Sequence, residues 1–134
     1  RRKISGPGAD RIDMWVHVGE MPPESLSTKG KKSAGETKAA REIIAQARER
    51  QHARFKGAGI FTNADMKPKH IEKLVELSEK AESTLVAAAK QMKLSPRGYH
   101  RTIKLARTIA DLAGNDSIEP PHMLEALQYR AREL

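Results

Sequence analysis

The sequence contains no cysteine, so disulfide bonds and thiolate metal sites are both excluded. Aromatic residues make up only 4 % of the chain, which leaves aliphatic side chains and alanine to fill a core. No run of about 18 apolar residues is present, and the first residues show no secretory signal pattern. These absences predict a soluble, cytoplasmic protein without a membrane partner.

What the sequence does contain is positive charge and helix-forming residues. The 25 Lys and Arg residues outnumber the 17 Asp and Glu residues, which gives a formal net charge of +8 and a pI of about 9.9. Such a charge indicates an anionic partner, either nucleic acid or nucleotide phosphates, and does not choose between them. A chain of 134 residues is long enough for one compact domain, and its apolar residues recur in helical periods. An all-α domain is therefore predicted.

The strongest helix-start signal is Leu94-Ser95-Pro96-Arg97-Gly98-Tyr99-His100-Arg101. Ser95 suits the N-cap because its hydroxyl can accept from first-turn amides, and Pro96 suits the first helical position, where its missing N–H costs nothing. We predict a helix that runs to about Ala113 and holds Arg97 in its first turn. Periodicity places Gly98, Thr102, Ala106, Ile109 and Ala113 on a core face. It places Arg97, His100, Arg101, Lys104 and Arg107 on a basic face, which by itself is typical of a solvated surface.

Four further segments have the periodicity of amphipathic helices. Ser33 and Glu36 have capping-box spacing and predict a first helix that ends near Phe55. Its predicted inward residues are Ala40, Ile43, Ile44 and Ala47, and its solvent-facing residues are Arg41, Arg48, Glu49 and Arg54. The other helices start near Pro68, after Ser78 and at Pro120-Pro121. Their predicted inward residues are Ile71, Leu74, Val75, Ala81, Leu85, Ala88, Ala89, Met92, Met123, Leu124 and Leu127. About five helices joined by short turns predict a helical bundle.

The residues before the bundle divide into two parts. Met14 to Val18 alternate as a short strand would, but the chain offers no second strand to pair with them. We therefore expect residues 1–19 to be poorly ordered or loosely docked. Residues 20–35 contain Pro22-Pro23 and several serines, which predicts a flexible linker. Residues 36–134 form the predicted helical domain.

The residue types of common enzyme sites do not come together in this sequence. The five histidines are scattered, and no pair has metal-ligand spacing with a supporting carboxylate, so no metal site is predicted. Gly30-Lys31-Lys32-Ser33 is not a phosphate loop, because a residue separates Lys from Ser and both the upstream Gly and the preceding buried strand are missing. No Ser/His/Asp arrangement is present either. On its own, the chain lacks the parts of an enzyme.

Ordered motifs nevertheless carry a resemblance to a known family. Ile4-Ser5-Gly6-Pro7 precedes Asp10-Arg11-Ile12-Asp13, and the Ser95 motif is followed by Ala106-Arg107-Thr108-Ile109-Ala110-Asp111-Leu112 and Ala126-Leu127-Gln128-Tyr129-Arg130. This order resembles the C-terminal part of the magnesium-chelatase-like AAA+ ATPases, of the ComM/YifB competence type. The resemblance implies that residues 1–19 are the end of a nucleotide core with its last strand, and that residues 36–134 are the helical lid. The parent protein would then be an ATPase.

The resemblance implies roles for two arginines. In such ATPases the arginine of the Asp-Arg motif is an arginine finger that acts in trans on the γ-phosphate of a neighbouring subunit, and its position here is Arg11. The arginine at the start of a lid helix is the sensor-2 residue of its own subunit, and its position is Arg97. A helix N-terminus independently favours an anion there. ATP and Mg²⁺ are the implied cofactors of the longer protein, and we expect neither to bind this chain alone.

The implied activity is ATP hydrolysis coupled to DNA remodelling or translocation by a hexameric, homo-oligomeric ring, with neighbouring subunits and DNA as partners. The nucleic-acid contacts stay unassigned. One alternative is a basic helical nucleic-acid-binding module, whose affinity would fall gradually with each Lys or Arg removed and steeply with salt. A lid would instead need Arg97 individually. The other alternative is the lid of a magnesium chelatase ATPase subunit, which shares the architecture.

Overall fold

The computed structural model describes residues 11–19 and 29–130, with side chains from residue 35 onward in the second range. The described part contains α1 (Lys29–Phe55), a 3-10 turn (Asn63–Asp65), α2 (Pro68–Leu74), α3 (Glu79–Met92), α4 (Pro96–Leu112) and α5 (Pro120–Gln128). These residues contain no strand beyond one isolated bridge, so the predicted all-α bundle is confirmed. None of the helices described is long and apolar enough to cross a membrane.

Helix α4 is the central element, because it packs against α1, α2, α5 and the 3-10 turn. Its start is as predicted: Pro96 is the first helical residue, and the Ser95 hydroxyl accepts from the Gly98 amide at 3.0 Å. Its end comes at Leu112, and Gly114 follows with a φ of 77°, which a glycine adopts without strain. The central helix of the bundle therefore begins at a serine N-cap and ends before a glycine with positive φ, and both signals are local in the sequence.

The core face of α4 agrees with the predicted periodicity. Thr102 and Ala106 are buried as predicted, together with Ile103 and Ala110. These small and aliphatic side chains allow the neighbouring helices to approach closely, and they join a core that includes Phe55, Met66, Ile71, Leu85, Ile118, Met123 and Leu127. Ala113 is exposed, because it follows the last helical residue instead of lying on the core face.

Helix α3 packs on α5 through the residues that periodicity assigns to its inner face. Ser78 caps α3 by accepting from the Ala81 amide at 3.1 Å, as predicted. Ala81, Leu85 and Ala88 are buried. Met92, which was also predicted to point inward, is 36 % exposed because α3 ends there and the next residue takes a left-handed conformation.

A short backbone bridge joins the loop before α3 to the loop before α5. Ile118 donates its amide to the Glu76 carbonyl at 3.0 Å, and Ser78 donates its amide to the Ile118 carbonyl at 3.1 Å. Ile118 is fully buried beneath this bridge. Because Ile118 donates one of these hydrogen bonds and accepts the other, the starts of α3 and α5 are held side by side.

The predicted start of the first helix is wrong, and of its four predicted inward residues only Ala47 is buried. Helix α1 begins at Lys29, so Ser33 lies within it and not at its N-cap. Ile43 and Ile44 are 47 % and 46 % exposed, and Ala40 is exposed as well. Residues 35–46 of α1 are all exposed, and burial begins at Ala47. Three residues later, Arg50 binds the Gly114 carbonyl just after the end of α4, so the described side chains of α1 that precede Ala47 lie toward or beyond that end of the bundle.

Helix α5 requires one smaller correction. Its buried residues are His122, Met123, Ala126 and Leu127, which lie on a single helical face. Leu124 lies off that face and is 52 % exposed, although the apolar pattern predicted it to point inward. Met123 and Leu127 are buried as predicted.

Residues 11–19 form an extended segment beside the bundle and are not assigned as a strand. The Trp15 amide donates to the Tyr129 carbonyl at 2.7 Å, and the Trp15 side chain is half-buried. The alternating side chains of Met14, Val16 and Val18 are exposed. The segment therefore contacts the C-terminal end of α5. The motif residues 4–10 and the linker residues 20–28 lie outside the described residues.

Replacing Leu85 with Ala should lower the free energy of unfolding by about 2–5 kcal/mol, because a fully buried leucine leaves a cavity when it is truncated. The matched control is Leu124→Ala, which removes the same atoms from an exposed site and should change stability by no more than about 0.5 kcal/mol. Urea denaturation followed by circular dichroism measures both. Equal losses would contradict the assignment of α3 to the core.

Candidate functional site

Arg97 lies at the second position of α4 and its side chain is exposed. The Ser95 cap and Pro96 fix the backbone on which it stands. A β-carbon at Gly98 would lie 3.3 Å from the Ser95 hydroxyl oxygen, so the glycine keeps the cap uncrowded. A guanidinium at the positive end of a 17-residue helix is well placed to bind an anion such as a phosphate.

The remaining basic residues of α4 do not form the predicted solvated face. Arg107 is only 1 % exposed, and His100, Arg101 and Lys104 are half-buried. Arg97 is the one member of this set of five that is exposed. The physical reason is that α1, the 3-10 turn and the N-terminal segment all contact this side of α4.

Two of these half-buried cations bind backbone carbonyls of neighbouring elements. Arg101 Nη1 donates to the Ile12 carbonyl at 3.1 Å, and Lys104 Nζ donates to the Ala64 carbonyl at 3.2 Å. Hydrogen bonds from Thr62 lower the pKa of Asp65, and the positive charge of Lys104 adds a smaller effect in the same direction. These side chains therefore tie α4 to the extended segment on one side and to the 3-10 turn on the other.

A buried ionic network anchors the C-terminal part of α4 to α1. Arg54 donates to both oxygens of the Asp111 carboxylate, at 2.6 Å and 3.0 Å. Arg107, one turn before Asp111, donates to the same carboxylate from Nε at 3.2 Å, and its Nη2 atom lies 3.0 Å from the same oxygen, Oδ1. The side chain of Asp111 is completely buried, and those of Arg107 and Arg54 are 1 % and 13 % exposed. This is a carboxylate held between two guanidinium groups.

Asn63 completes the network from the 3-10 turn. Its side-chain amide donates to Asp111 at 2.9 Å and to the Thr108 hydroxyl at 3.0 Å, while its side-chain oxygen accepts from Arg54 at 3.0 Å. Its backbone amide donates to the Gln51 side chain at 2.9 Å. Asn63 is 2 % exposed, so every one of these groups exchanges water for a protein partner. The turn is thereby held between α1 and α4.

Arg107 also satisfies the backbone that follows α4. Its Nη1 and Nη2 atoms donate to the carbonyls of Asp116 and Asn115, each at 2.6 Å. Burial lowers the pKa of Arg107, and the negative charge of Asp111 opposes that shift. Arg50 of α1 adds bonds to the Gly114 carbonyl at 2.8 Å and to the Asp116 carboxylate at 2.7 Å. Arg50 and Arg107 therefore provide hydrogen-bond donors for the carbonyls of residues 114–116, directly after α4 ends.

Sequence reasoning missed this network. Arg54 and Arg107 were predicted to face solvent, and Asp111 received no role; all three are buried or nearly so. The available signal was that Arg107 and Asp111 stand four residues apart on α4, next to the buried alanines Ala106 and Ala110. An oppositely charged pair at the border of an apolar stripe is a weak indication of a buried ion pair.

The structure places the two predicted site arginines on different elements. Arg11 is exposed at the start of the extended segment, and Arg97 is exposed in the first turn of α4. A contact between these elements lies one turn further along α4, where Arg101 binds the carbonyl of Ile12. Within residues 11–19 and 29–130 no group of three or more His, Asp or Glu residues could hold a metal ion.

The sequence is similar to a known protein family and to several curated bacterial proteins. Residues 34–130 match the family described as magnesium chelatase, subunit ChlI C-terminal. Competence protein ComM of Haemophilus influenzae is 42 % identical over 130 residues, which cover 96 % of this chain and 24 % of that protein. Uncharacterized protein YifB of Salmonella typhimurium is 34 % identical over 129 residues, with the same coverage of both chains. Uncharacterized protein Mb2921c of Mycobacterium bovis is 32 % identical over 128 residues, 96 % of this chain and 25 % of that protein. The chain thus spans about a quarter of the length of these curated relatives.

Asp111→Asn should lower the free energy of unfolding by about 3–5 kcal/mol, because Arg54 and Arg107 would stay buried without their counter-charge. Asp116→Asn makes the same chemical change in a side chain that is 92 % exposed, and it should cost less than about 1 kcal/mol. The Asp116 backbone carbonyl still accepts from Arg107 in this control. Chemical denaturation at neutral pH compares the two, and similar costs would show that the buried network does not anchor α4.

Proposed function

The chain belongs to the magnesium chelatase, subunit ChlI C-terminal family, and we propose that it is the helical lid of a longer AAA+ ATPase of the ComM type. In this proposal Arg97 binds the phosphates of the nucleotide held by its own subunit. Arg11 reaches the γ-phosphate held by a neighbouring subunit. Membership of the family confirms the resemblance seen in the sequence motifs, and the roles of the two arginines are inferred from it.

The placement of Arg97 is the observation that carries this proposal. Its side chain is exposed at a capped helix start, while the other basic residues of α4 are half-buried or buried. The opposite end of α4 is held to α1 by the Asp111 network. A helix anchored at one end can bring a phosphate-binding group toward a nucleotide when the bundle moves as a unit, which is how a lid acts.

The chemistry of the two arginines suits phosphate groups. A guanidinium forms strong, charge-assisted hydrogen bonds with phosphate oxygens and cannot lose its charge near neutral pH. ATP with Mg²⁺ would supply the phosphoryl group that is transferred to water. The phosphate loop and the Mg²⁺ ligands would come from other parts of the longer protein, because the described residues contain no suitable carboxylate cluster. Arg97 would hold the nucleotide, and Arg11 would stabilise the charge that develops on the γ-phosphate.

We further propose that hydrolysis drives DNA remodelling or translocation by a homo-oligomeric ring. The 42 % identity to a competence protein supports this over metal insertion into a porphyrin. A diffuse basic surface that binds nucleic acid through charge alone is less well supported. Arg107 is buried, and both Arg101 and Lys104 are engaged with backbone carbonyls.

The 134-residue chain by itself should show no ATP turnover, because its sequence contains no phosphate loop. A steady-state assay of phosphate release tests this against a heat-treated sample, with the full-length ATPase as the positive control. Turnover that follows the chain through a second purification step would contradict the proposal that catalytic groups come from elsewhere.

In the full-length ATPase, Arg97→Ala and Arg11→Ala should each reduce hydrolysis severely, and the loss of an arginine finger is typically worth about 10³ to 10⁵ in rate. The matched control is Arg48→Ala, which removes another exposed guanidinium, this one from α1, and should leave turnover unchanged. Circular dichroism should show the same helicity in all three variants, since none of these side chains is in the core.

Mixed rings separate the two roles. Inactive Arg11→Ala subunits mixed with subunits inactivated in their phosphate loop should regain activity, because some interfaces then pair an intact finger with an intact nucleotide site. Arg97→Ala mixed with the same phosphate-loop mutant should regain none, since both defects affect a subunit's own site. Equal recovery in both mixtures would overturn the assignment of Arg11 to the neighbour and of Arg97 to its own subunit.

A further inference from the structure

A side-chain contact joins α4 to the segment that carries Arg11. Arg101 Nη1 donates to the carbonyl of Ile12 at 3.1 Å, and Ile12 directly follows Arg11 in the chain. Arg101 lies about one helical turn after Arg97, so both project from the same stretch of α4. We propose that Arg101 is a positioning residue that couples the position of α4 to the position of Arg11. This inference rests on the proposed function.

Among the described contacts of residues 11–19, two hydrogen bonds hold the extended segment to the bundle. The first is the Ile12 carbonyl bound by Arg101, and the second is the Trp15 amide, which donates to Tyr129 at 2.7 Å. Two fixed points on a short extended segment define its direction, whereas one leaves it able to pivot. If the Arg101 contact is removed, Arg11 lies at the end of a four-residue lever, which in extended chain is roughly 13 Å long.

Packing between the segment and α4 is open beside this contact. Asp13 of the segment lines a cavity of about 70 Å³ together with Arg101, Lys104 and Ala64. Because these side chains border an open space, close packing does not hold the segment in one position against α4 at this point. The directional hydrogen bond from Arg101 to the Ile12 carbonyl is therefore a contact that can set the register of the segment on α4.

The functional consequence is communication between nucleotide sites. When Arg97 engages phosphate, α4 takes the position set by the nucleotide of its own subunit. Because Arg101 is part of the same helix, Ile12 and the adjacent Arg11 take a corresponding position at the next subunit's site. Binding in one subunit would thus bias hydrolysis in its neighbour, which is an energetic coupling between two distinct sites.

The docking contact can be tested in the 134-residue chain, because Trp15 is its single tryptophan. Arg101→Ala should shift Trp15 emission to longer wavelength and increase its quenching by acrylamide, since the half-buried ring becomes more accessible. Arg101→Lys, which keeps a cationic donor with a shorter reach, should show a smaller shift. Arg48→Ala should show none.

Circular dichroism must show unchanged helicity for the Arg101→Ala result to count. If that variant loses helicity, Arg101→Lys becomes the test, and it must still show a measurable shift. An unchanged Trp15 signal in a folded Arg101 variant would overturn the proposal, because the segment would then be held without this contact.

The coupling itself is tested in the full-length ATPase. Arg101→Ala should lower kcat by about 10- to 100-fold through misplacement of Arg11, with the KM for ATP little changed. Mixing it with the phosphate-loop mutant should restore activity, as for Arg11→Ala and in contrast to Arg97→Ala. The Hill coefficient for ATP should fall toward one, and Arg101→Lys should recover part of both losses. A merely structural role for Arg101 would not produce this pattern of recovery.

Two results would reject the inference for different reasons. If Arg11→Ala is rescued in mixed rings and Arg101→Ala is not, the proposed function stands and the coupling role of Arg101 is wrong. If Arg11→Ala is itself not rescued, the proposed trans role of Arg11 fails and the inference fails with it, whatever the Trp15 signal shows.

Discussion

The arrangement of the helices depends on the carboxylate of Asp111, which is completely buried between Arg54 and Arg107. Removing three charges from water costs several kcal/mol per ion, and this cost is offset only where every charged group is fully hydrogen-bonded. Asn63 supplies further bonds to Asp111 and Arg54, and backbone carbonyls after α4 supply those of Arg107. Because these bonds are directional, they define one position of α1 against α4 more narrowly than non-directional apolar contacts would.

This anchor divides α4 into two parts with different roles. Near the C-terminal end of α4, the Arg107 guanidinium is buried and donates to the backbone carbonyls of the residues that follow the helix. In its first turn, Arg97 is exposed on a backbone fixed by the Ser95 cap. Between the two, Arg101 and Lys104 bind neighbouring backbone. A net charge of +8 therefore does not correspond to a basic surface on this helix, since most of its cations have structural partners.

The features that could be predicted from the sequence are those formed by residues that lie close together in the chain. The Ser78 and Ser95 caps each involve an amide three residues away, and both are present. The inner faces of α3 and α4 follow from periodicity because each helix packs along much of its length. The same reasoning failed for Ile43 and Ile44, since periodicity identifies the apolar face of a helix and not how far its partner extends.

By itself, the sequence determined the helical class, the caps and the place of Arg97 at a helix start, because these depend on interactions within one or two turns. The tertiary structure alone decided which charges are buried. Arg54 meets Asp111 across 57 positions of the chain, and Arg101 meets Ile12 across 89. A long polar side chain has the same helical periodicity whether it extends into water or folds onto a distant carboxylate or carbonyl. The choice between the two is made by the partner that packing brings within hydrogen-bonding distance.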